Sequence, residues 1–467
     1  MYTLLLINPV EKKSSLGAYK SSSMPPLSLA YIAALTPEDK YKIIIIDENV
    51  ESLGYPNADI VGITSYTAHV RRAYEIAQVY RKKSVPVVMG GIHVSTMPDE
   101  ALNYCDAVVI GEAESIWHKV LDDFENKCLQ SKYNAERLPL ENMPFPKREY
   151  MQNNRYLWGT ILTSRGCPMD CNFCSVTRFN GRKFRRRKVE DVITELSDIK
   201  SKFVMFVDDN IIGHESSGGD GDNGGKRWLE QFFRAIIKNK IKKYFYVQAS
   251  LKLGEDLRLL KLAYKAGVRI ALLGIESVEL DSLKIYNKNL NAAYIKKHSY
   301  LELIKNIRKS GIVIVGCFIL GCDNDTVQSF KKTLDFILES RIDILQITKP
   351  TPLPGTKFYN ELYEQNRIVD TNYPDAWKHY TFTRMLFKPQ WLEIKEVYQG
   401  MHYVKKNFYA SRTKMKRFFQ TLLDTKSITS AIIMLVLNSS YEKAFFNSDI
   451  YQNYDMRELE KKFNFKN

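Results

Sequence analysis

The stretch T-S-R-G-C-P-M-D-C-N-F-C, Thr163 to Cys174, sets three cysteines three and then two residues apart, at Cys167, Cys171 and Cys174. Glycine before the first and proline after it suit a tight loop. A structural zinc usually takes four protein ligands. Cys128, Cys317 and Cys322 are available as a distant fourth, but no second C-x-x-C pair exists. A cubane iron–sulfur cluster is the other solution, since three thiolates hold three irons and leave the fourth open. The strand-like run LWGTILTS precedes the loop, and the helix-like run VEDVITELSDI follows it.

Beyond the loop, KFVMFVDDN, YFYVQAS, ALLGIES, IVIVGCFILG and ILQITKP each read as a short apolar strand with a polar or glycine end. With helical segments between them they make six βα-like units, enough for an incomplete (β/α) barrel whose site lies at the C-terminal rim. Ahead of the loop, YTLLLIN, KIIIID, ADIVGITSY, VPVVMGG and DAVVIGEAE alternate with helices. They predict a parallel sheet covered on both faces. Ligands bind outside the carboxyl ends of such strands, which puts Thr64, Ser65, Thr67, Gly90, Gly91, Gly111 and Glu112 on one rim. The divisions expected are 1–127 (Rossmann-like), 128–157 (a proline-bearing linker), 158–360 (barrel) and 361–467 (a mostly helical extension). The insertion HESSGGDGDNGGKRW reads as a mobile loop, and the tail after Phe446 as partly disordered.

The chain has 467 residues, 45 % of them hydrophobic, 26 % charged, and seven cysteines. That is ample for a core without disulfide staples. MYTLLLINPV is not a secretory signal, and AIIMLVL is far shorter than a membrane span, so a cytoplasmic location is expected. The net charge of +15 reads as a lysine-rich surface rather than a nucleic-acid interface. The run GRKFRRRK, Gly181 to Lys188, reads as a solvated loop rather than a phosphate clamp. His93 reads as a structural or rim residue, and Cys317 and Cys322 as buried thiols. Trp377, Tyr380 and Phe387 are candidates to cover the barrel mouth.

CPMDCNFC resembles the C-x-x-x-C-x-x-C motif of the radical S-adenosylmethionine (SAM) superfamily, with Phe173 at the aromatic position before the last cysteine. VDDN, QAS, GIES, GCFILG and TPLPGT follow at successive strand ends, as in that superfamily. PPLSLAYIAAL and GGIHVSTMPDEAL resemble the cobalamin (B12)-binding domain found ahead of many such barrels, and the C-terminal part resembles the hopanoid-methylase-like members. The resemblance implies that Cys167, Cys171 and Cys174 ligate a [4Fe–4S] cluster. Asp208 or Asp209 would hold the SAM ammonium; Ser250, Glu276 and Ser277 the ribose; Phe173, Leu320 and Gly321 the adenine; and Thr64, Ser65, Gly90 and Gly91 cobalamin. It implies an enzyme that cleaves SAM to a 5′-deoxyadenosyl radical and methylates an unactivated carbon with cobalamin's help.

The loop NPVEKKSSLGAYKSSS carries no histidine where related domains have D-x-H-x-x-G, so histidine ligation of cobalt from it is not expected. Two other readings stay open: a radical cyclase or carbon–carbon coupling enzyme without methyl transfer, and a structural zinc or nucleic-acid-binding protein. Expected partners are a small or lipid-like substrate and an electron donor such as flavodoxin or ferredoxin. Peripheral membrane association is compatible with the sequence.

Overall fold

The computed structural model describes residues 1–11, 24–151, 155–213, 224–297 and 299–446. The chain forms two compact units. The first comprises Met1–Pro168, Phe173–Val207 and Pro352–Leu386; the second comprises Met169–Asn172, Asp208–Thr351 and Phe387–Asn467.

The first unit is built on six strands, β1 (Tyr2–Asn8), β2 (Tyr41–Asp47), β3 (Ile60–Thr64), β4 (Val87–Gly90), β5 (Ala107–Ile110) and β6 (Lys132–Asn134). They lie in the order β2-β1-β3-β4-β5-β6, all parallel. Side chains alternate across a strand, so each face needs its own apolar set. Leu5, Ile7, Val61, Ile63 and Met89 build one core, and Leu4, Leu6, Ile43, Ile45 and Val88 the other. The chain reverses direction across the sheet between β1 and β3. Such a switch point opens a crevice at the strand ends. The loop after β1 that lacks histidine lies outside the described residues beyond Glu11, as do the tail after Phe446 and most of the glycine-rich insertion.

β6 falls inside the segment expected to be a linker. Three residues are too short to display a period, but Tyr133 is buried and its hydroxyl donates to Asp123 Oδ2 at 2.8 Å, which pins the edge strand. A second departure concerns Trp377 and Tyr380. They do not cover a barrel mouth but belong to the core under the first sheet, with Tyr74, Val94 and Ala101. Trp377 is 0 % exposed, stacks on Tyr373 at 3.8 Å and donates its indole N–H to the Glu100 carboxylate. That carboxylate gives a buried indole the acceptor it requires. His93 is buried beside them, its ring against Trp377 and its nitrogens on Thr67 and Glu100.

The first unit also holds β7 (Gly159–Ile161) parallel to β10 (Phe203–Phe206), and the antiparallel pair β8 (Ser164–Arg165) and β9 (Arg185–Arg186). The second unit carries β11 (Tyr244–Ala249), β12 (Val268–Glu276), β13 (Val313–Ile319) and β14 (Ile344–Thr348), paired in parallel in that order. β7 and β10 to β14 therefore supply, in chain order, the six strands of the expected partial barrel, with helices between them. The C-terminal region is helical, through Ile394–Tyr409, Ser411–Thr425 and Ile428–Phe446.

The basic run is not a solvated loop. Arg185 and Arg187 are buried, the first paired with Glu112 and the second with Glu195. Alternate residues of a strand face one way, so two of its five arginines and lysines between 182 and 187 turn inward, Arg185 onto Glu112 from 73 residues earlier and Arg187 onto Glu195 of the helix that follows.

Candidate active site

The cysteine loop leaves β8 and ends at the helix Val176–Phe179. Gly166 has φ +93°, and a β-carbon there would run into the Lys183 carbonyl. Only glycine therefore lets the chain enter the loop on this path. The Cys167 N–H donates to Gly181 O at 3.2 Å. In the second unit, Asn172 donates its N–H to Tyr286 O (3.1 Å) and its side-chain amide to Ile285 O (2.8 Å). Asn287 returns a bond to Asp170 O at 2.7 Å. The middle of the loop is thus pinned to the turn after the helix Leu280–Ile285.

None of Cys167, Cys171 and Cys174 is in a disulfide, and Cys171 is buried. Burial pushes the Cys171 thiol up, Lys288 pulls it down and Glu276 pushes it up. A thiolate here needs added positive charge, which a bound metal centre would provide. Among the described residues no three His, Cys, Asp or Glu side chains gather closely enough to hold a single ion. A cubane, which takes one thiolate on each of three irons, does not require that convergence. The donor set fits it.

The strand ends of the second unit carry the other predicted residues. Asp208 is fully buried just after β10, with Asp209 beside it. Asn210 accepts from the N–H of Ser250 (3.1 Å) and of Ile212 (3.4 Å), and Ile211 N–H donates to Gln248 O at 2.8 Å. These bonds lace the segment after β10 to the end of β11. The Ser250 hydroxyl is buried and has no hydrogen-bond partner among the described residues. Leaving a buried hydroxyl unmade costs about 1–3 kcal/mol, so its presence fits a ligand that completes it.

Glu276 sits at φ +66° beyond a bulge in β12, and its carboxylate pairs with Lys288 at 2.7 Å. A non-glycine residue in that region is held there by its surroundings. Asn291 supplies the hold, donating to Gly274 O and Ile275 O at 2.9 Å. Ser277 is buried and accepts from the Glu279 N–H at 3.0 Å. Leu320 N–H donates to Thr348 O, and Gly321 (φ +98°) donates its N–H to Asp325 at 2.7 Å. Cys171, Glu276 and Lys288 are thereby gathered into one electrostatic group. Phe173 is half-buried in the first unit.

Thr64, Ser65, Gly90 and Gly91 cluster in the first unit at the ends of β3 and β4. Ser65 N–H donates to Gly90 O at 3.1 Å, and His93 N–H to Ser65 O at 3.3 Å. Gly91 has φ +96°, and a β-carbon there would lie 2.8 Å from Ser65 N. Its bareness serves this backbone approach, whereas a β-carbon at Gly90 would meet nothing closer than 3.8 Å. A side chain at Gly90 would therefore fit in ordinary contact with Val109, so no neighbour requires glycine there. Glu112 is neutralised by Arg165 (2.8 Å) and Arg185.

Asn210, Lys288 and Asn291 were not singled out by the sequence, because each acts through a partner on another element, 12 to 40 residues away. Lys349 is another. It follows β14 directly, is fully buried, and lies with its ammonium 4.6 Å from the Tyr398 ring. Lys405 nearby is also fully buried, and burial pushes its ammonium down to about 7 from 10.5. The unfolded chain would keep that proton up to pH 10.5, so the cost of burying the lysine grows as pH falls from about 10.5 to 7. Lys405→Met is expected to stabilise the chain by about 1–3 kcal/mol at pH 7. The gain should fade as the pH is raised toward 10, as followed by urea unfolding at several pH values.

Comparison with known proteins agrees with this geometry. A B12 binding domain model matches residues 16–121, and a radical SAM superfamily model matches residues 161–337. The chain is 27 % identical over 431 residues to the bacteriochlorophyllide d C-12(1)-methyltransferase of Chlorobaculum tepidum, covering 88 % of each chain. It is 29 % identical over 359 residues to the hopanoid C-2 methylase of Rhodopseudomonas palustris, covering 74 % of this chain and 66 % of that one. Its fold matches the cobalamin-dependent SAM radical enzyme OxsB, solved with aqua-cobalamin and SAM, at a TM-score of 0.68 and 16 % identity over 99 % of this chain and 78 % of that one. The chain thus carries a B12-binding domain followed by a radical SAM superfamily domain, and the three-cysteine loop opens the second of them.

Proposed function

We propose that this enzyme methylates an unactivated carbon of a small or lipid-like molecule, using a [4Fe–4S] cluster, SAM and cobalamin. The observation that carries the reading is the pinned loop with its three cysteines, none of them in a disulfide, at C-x-x-x-C-x-x-C spacing. Cys167, Cys171 and Cys174 would hold the cluster. Loaded with its cofactors, such a site supplies a 5′-deoxyadenosyl radical from SAM and a methyl carrier on cobalamin.

The chain's own groups would do the positioning. Asp208 or Asp209 would pair with the SAM ammonium, the natural partner of a carboxylate. Ser250, Glu276 and Ser277 would meet the ribose, while Phe173, Leu320 and Gly321 would flank the adenine. Thr64, Ser65, Gly90 and Gly91 would border the corrin and its tail. Lys288 would offset the charge of the Cys171 thiolate and Glu276 together. In this reading residues 1–127 form the cobalamin domain, 128–157 a connector, 158–360 the radical domain and 361–467 the extension. A flavodoxin or ferredoxin of the cytoplasm would deliver the electron. Methyl transfer is preferred over cyclisation because both relatives described above are carbon methyltransferases by name. Their names also favour an apolar, ring-bearing substrate.

Reconstitution without oxygen, using iron, sulfide and hydroxocobalamin, tests the assignment. It should give a brown protein with about four irons per chain and a corrin spectrum that survives gel filtration. A colourless protein with one tight zinc would contradict it. Loss of the corrin alone removes methyl transfer and leaves the radical chemistry. Ser250→Ala offers a finer check: removing a hydroxyl that has no partner among the described residues should leave thermal stability unchanged or slightly raised, while SAM binding weakens about 3- to 10-fold by isothermal titration.

A further inference from the structure

The helices Ser411–Thr425 and Ile428–Phe446 are joined by two residues, with Lys426 at φ +51° reversing the chain. So short a link makes them an antiparallel helical hairpin. The first helix has inverted amphipathicity, burying Arg417, Thr421 and Thr425, while the second buries Ala431 and Met434 together with Ser430 and Asn438. On the inner side Arg417 donates to Phe408 O (2.6 Å) and Asn438 Oδ1 (3.2 Å), and Thr421 donates to Asp343 at 2.6 Å. Asn438 donates to Asp343 O at 2.9 Å, and Ser430 to Gly311 O at 2.7 Å. A polar network therefore fastens the hairpin to the rest of its unit.

The outer side carries large apolar residues instead. Met415, Phe419 and Leu423 recur every four residues on one helix, and Ile428, Ile432 and Val436 on the other. All six are between 51 and 73 % exposed. Counted from the turn, Leu423 and Ile428, Phe419 and Ile432, and Met415 and Val436 are offset by two residues, about 3 Å of helix rise. Two stripes so nearly level make one apolar strip, longer than the scattered apolar residues of an ordinary surface.

The charges around the strip indicate what it meets. Arg412, Lys416 and Lys426 are exposed beside it. The acids of the hairpin are engaged elsewhere, Asp424 with Arg308 and Arg341, and Glu442 with Lys414. The exposed border is thus cationic on a chain of net charge +15. A second copy docked symmetrically would set these cations against their equals. Anionic lipid headgroups complement them while the acyl boundary takes the apolar side chains. Among the described residues no helix is long and apolar enough to cross a membrane, so the contact is one of lying on the surface. We propose that the hairpin Ser411–Phe446 seats this enzyme on the surface of an anionic lipid bilayer.

Co-sedimentation of the full chain with vesicles tests this. With vesicles of phosphatidylcholine and phosphatidylglycerol in equal parts the chain should pellet. With phosphatidylcholine alone, or in about 0.5 M salt, binding should fall several-fold. The triple variant Phe419→Ser, Leu423→Ser, Ile432→Ser should lose about tenfold in affinity with an unchanged circular dichroism spectrum, the loss expected when much of the inserted apolar surface is removed. Lys416→Glu with Lys426→Glu, which leaves the apolar strip intact, should lose the preference for the anionic vesicles. Four results would overturn the proposal. One is no pelleting by the native chain, and a second is pelleting that both variants retain. A third is a native dimer, seen by light scattering, that the triple variant dissociates while neither binds vesicles. The last is binding that appears only when residues 447–467 are removed, which would assign the strip to the chain's own tail.

Discussion

Cys171→Ala is expected to leave a folded chain that holds no intact cluster and cleaves SAM no faster than background, a loss of about 10³-fold or more. A ligand belongs to the cofactor itself, so its removal does not merely slow a step. Cys171 is the most telling of the three because it is buried and the segment around it is pinned at Asp170 and Asn172. Alanine retains those backbone and Asn172 bonds and removes only a thiol whose ionisation burial opposes. The melting temperature of the cofactor-free chain should therefore stay within a few degrees. Cys128→Ala, at an exposed cysteine, should keep full iron content and full activity. Iron per chain and 5′-deoxyadenosine formation, measured on both variants in parallel, separate the cases. Full cleavage by the Cys171 variant would remove it from the cluster.

Glu195→Ala should destabilise the chain by about 3–5 kcal/mol, the cost of leaving a buried charge without its partner. The Glu195 carboxylate pairs with Arg148 through one oxygen and with Arg187 through the other. Arg187 is 1 % exposed. Its Nη1 also donates to Leu162 O at 3.0 Å and to the Tyr31 hydroxyl at 3.4 Å, neither of which carries a negative charge. The Tyr31 hydroxyl is itself held well above its usual range by burial and by Glu195, so it will not ionise in compensation. Lys183→Ala, at an exposed member of the same basic run, should change stability by no more than about 0.5 kcal/mol. Urea unfolding of the two variants gives the comparison. Equal effects would mean that the run acts as one solvated patch after all.

That contrast shows where the sequence is silent. Apolar runs such as LLLI at Leu4 to Ile7 announce buried strands because their own composition excludes water. The cysteine loop announces chemistry because its spacing is local. Arg185 and Arg187 look like Arg182 and Lys183 in any count of charge. What buries them is Glu112 and Glu195, supplied by other segments. Trp377 went astray for the same reason: aromatic content says that a residue packs, while Glu100, nearly three hundred residues earlier, decides where. Asn210, Lys288 and Asn291 likewise take their meaning from Ser250, Glu276 and the Gly274–Ile275 carbonyls.

The most direct test of the central claim is the product analysis of the reconstituted enzyme given SAM and a low-potential reductant, read by mass spectrometry. Formation of both 5′-deoxyadenosine and S-adenosylhomocysteine, the latter only when cobalamin has been retained, is the expected result. S-Adenosylmethionine recovered intact from a protein loaded with iron and cobalamin would contradict the account.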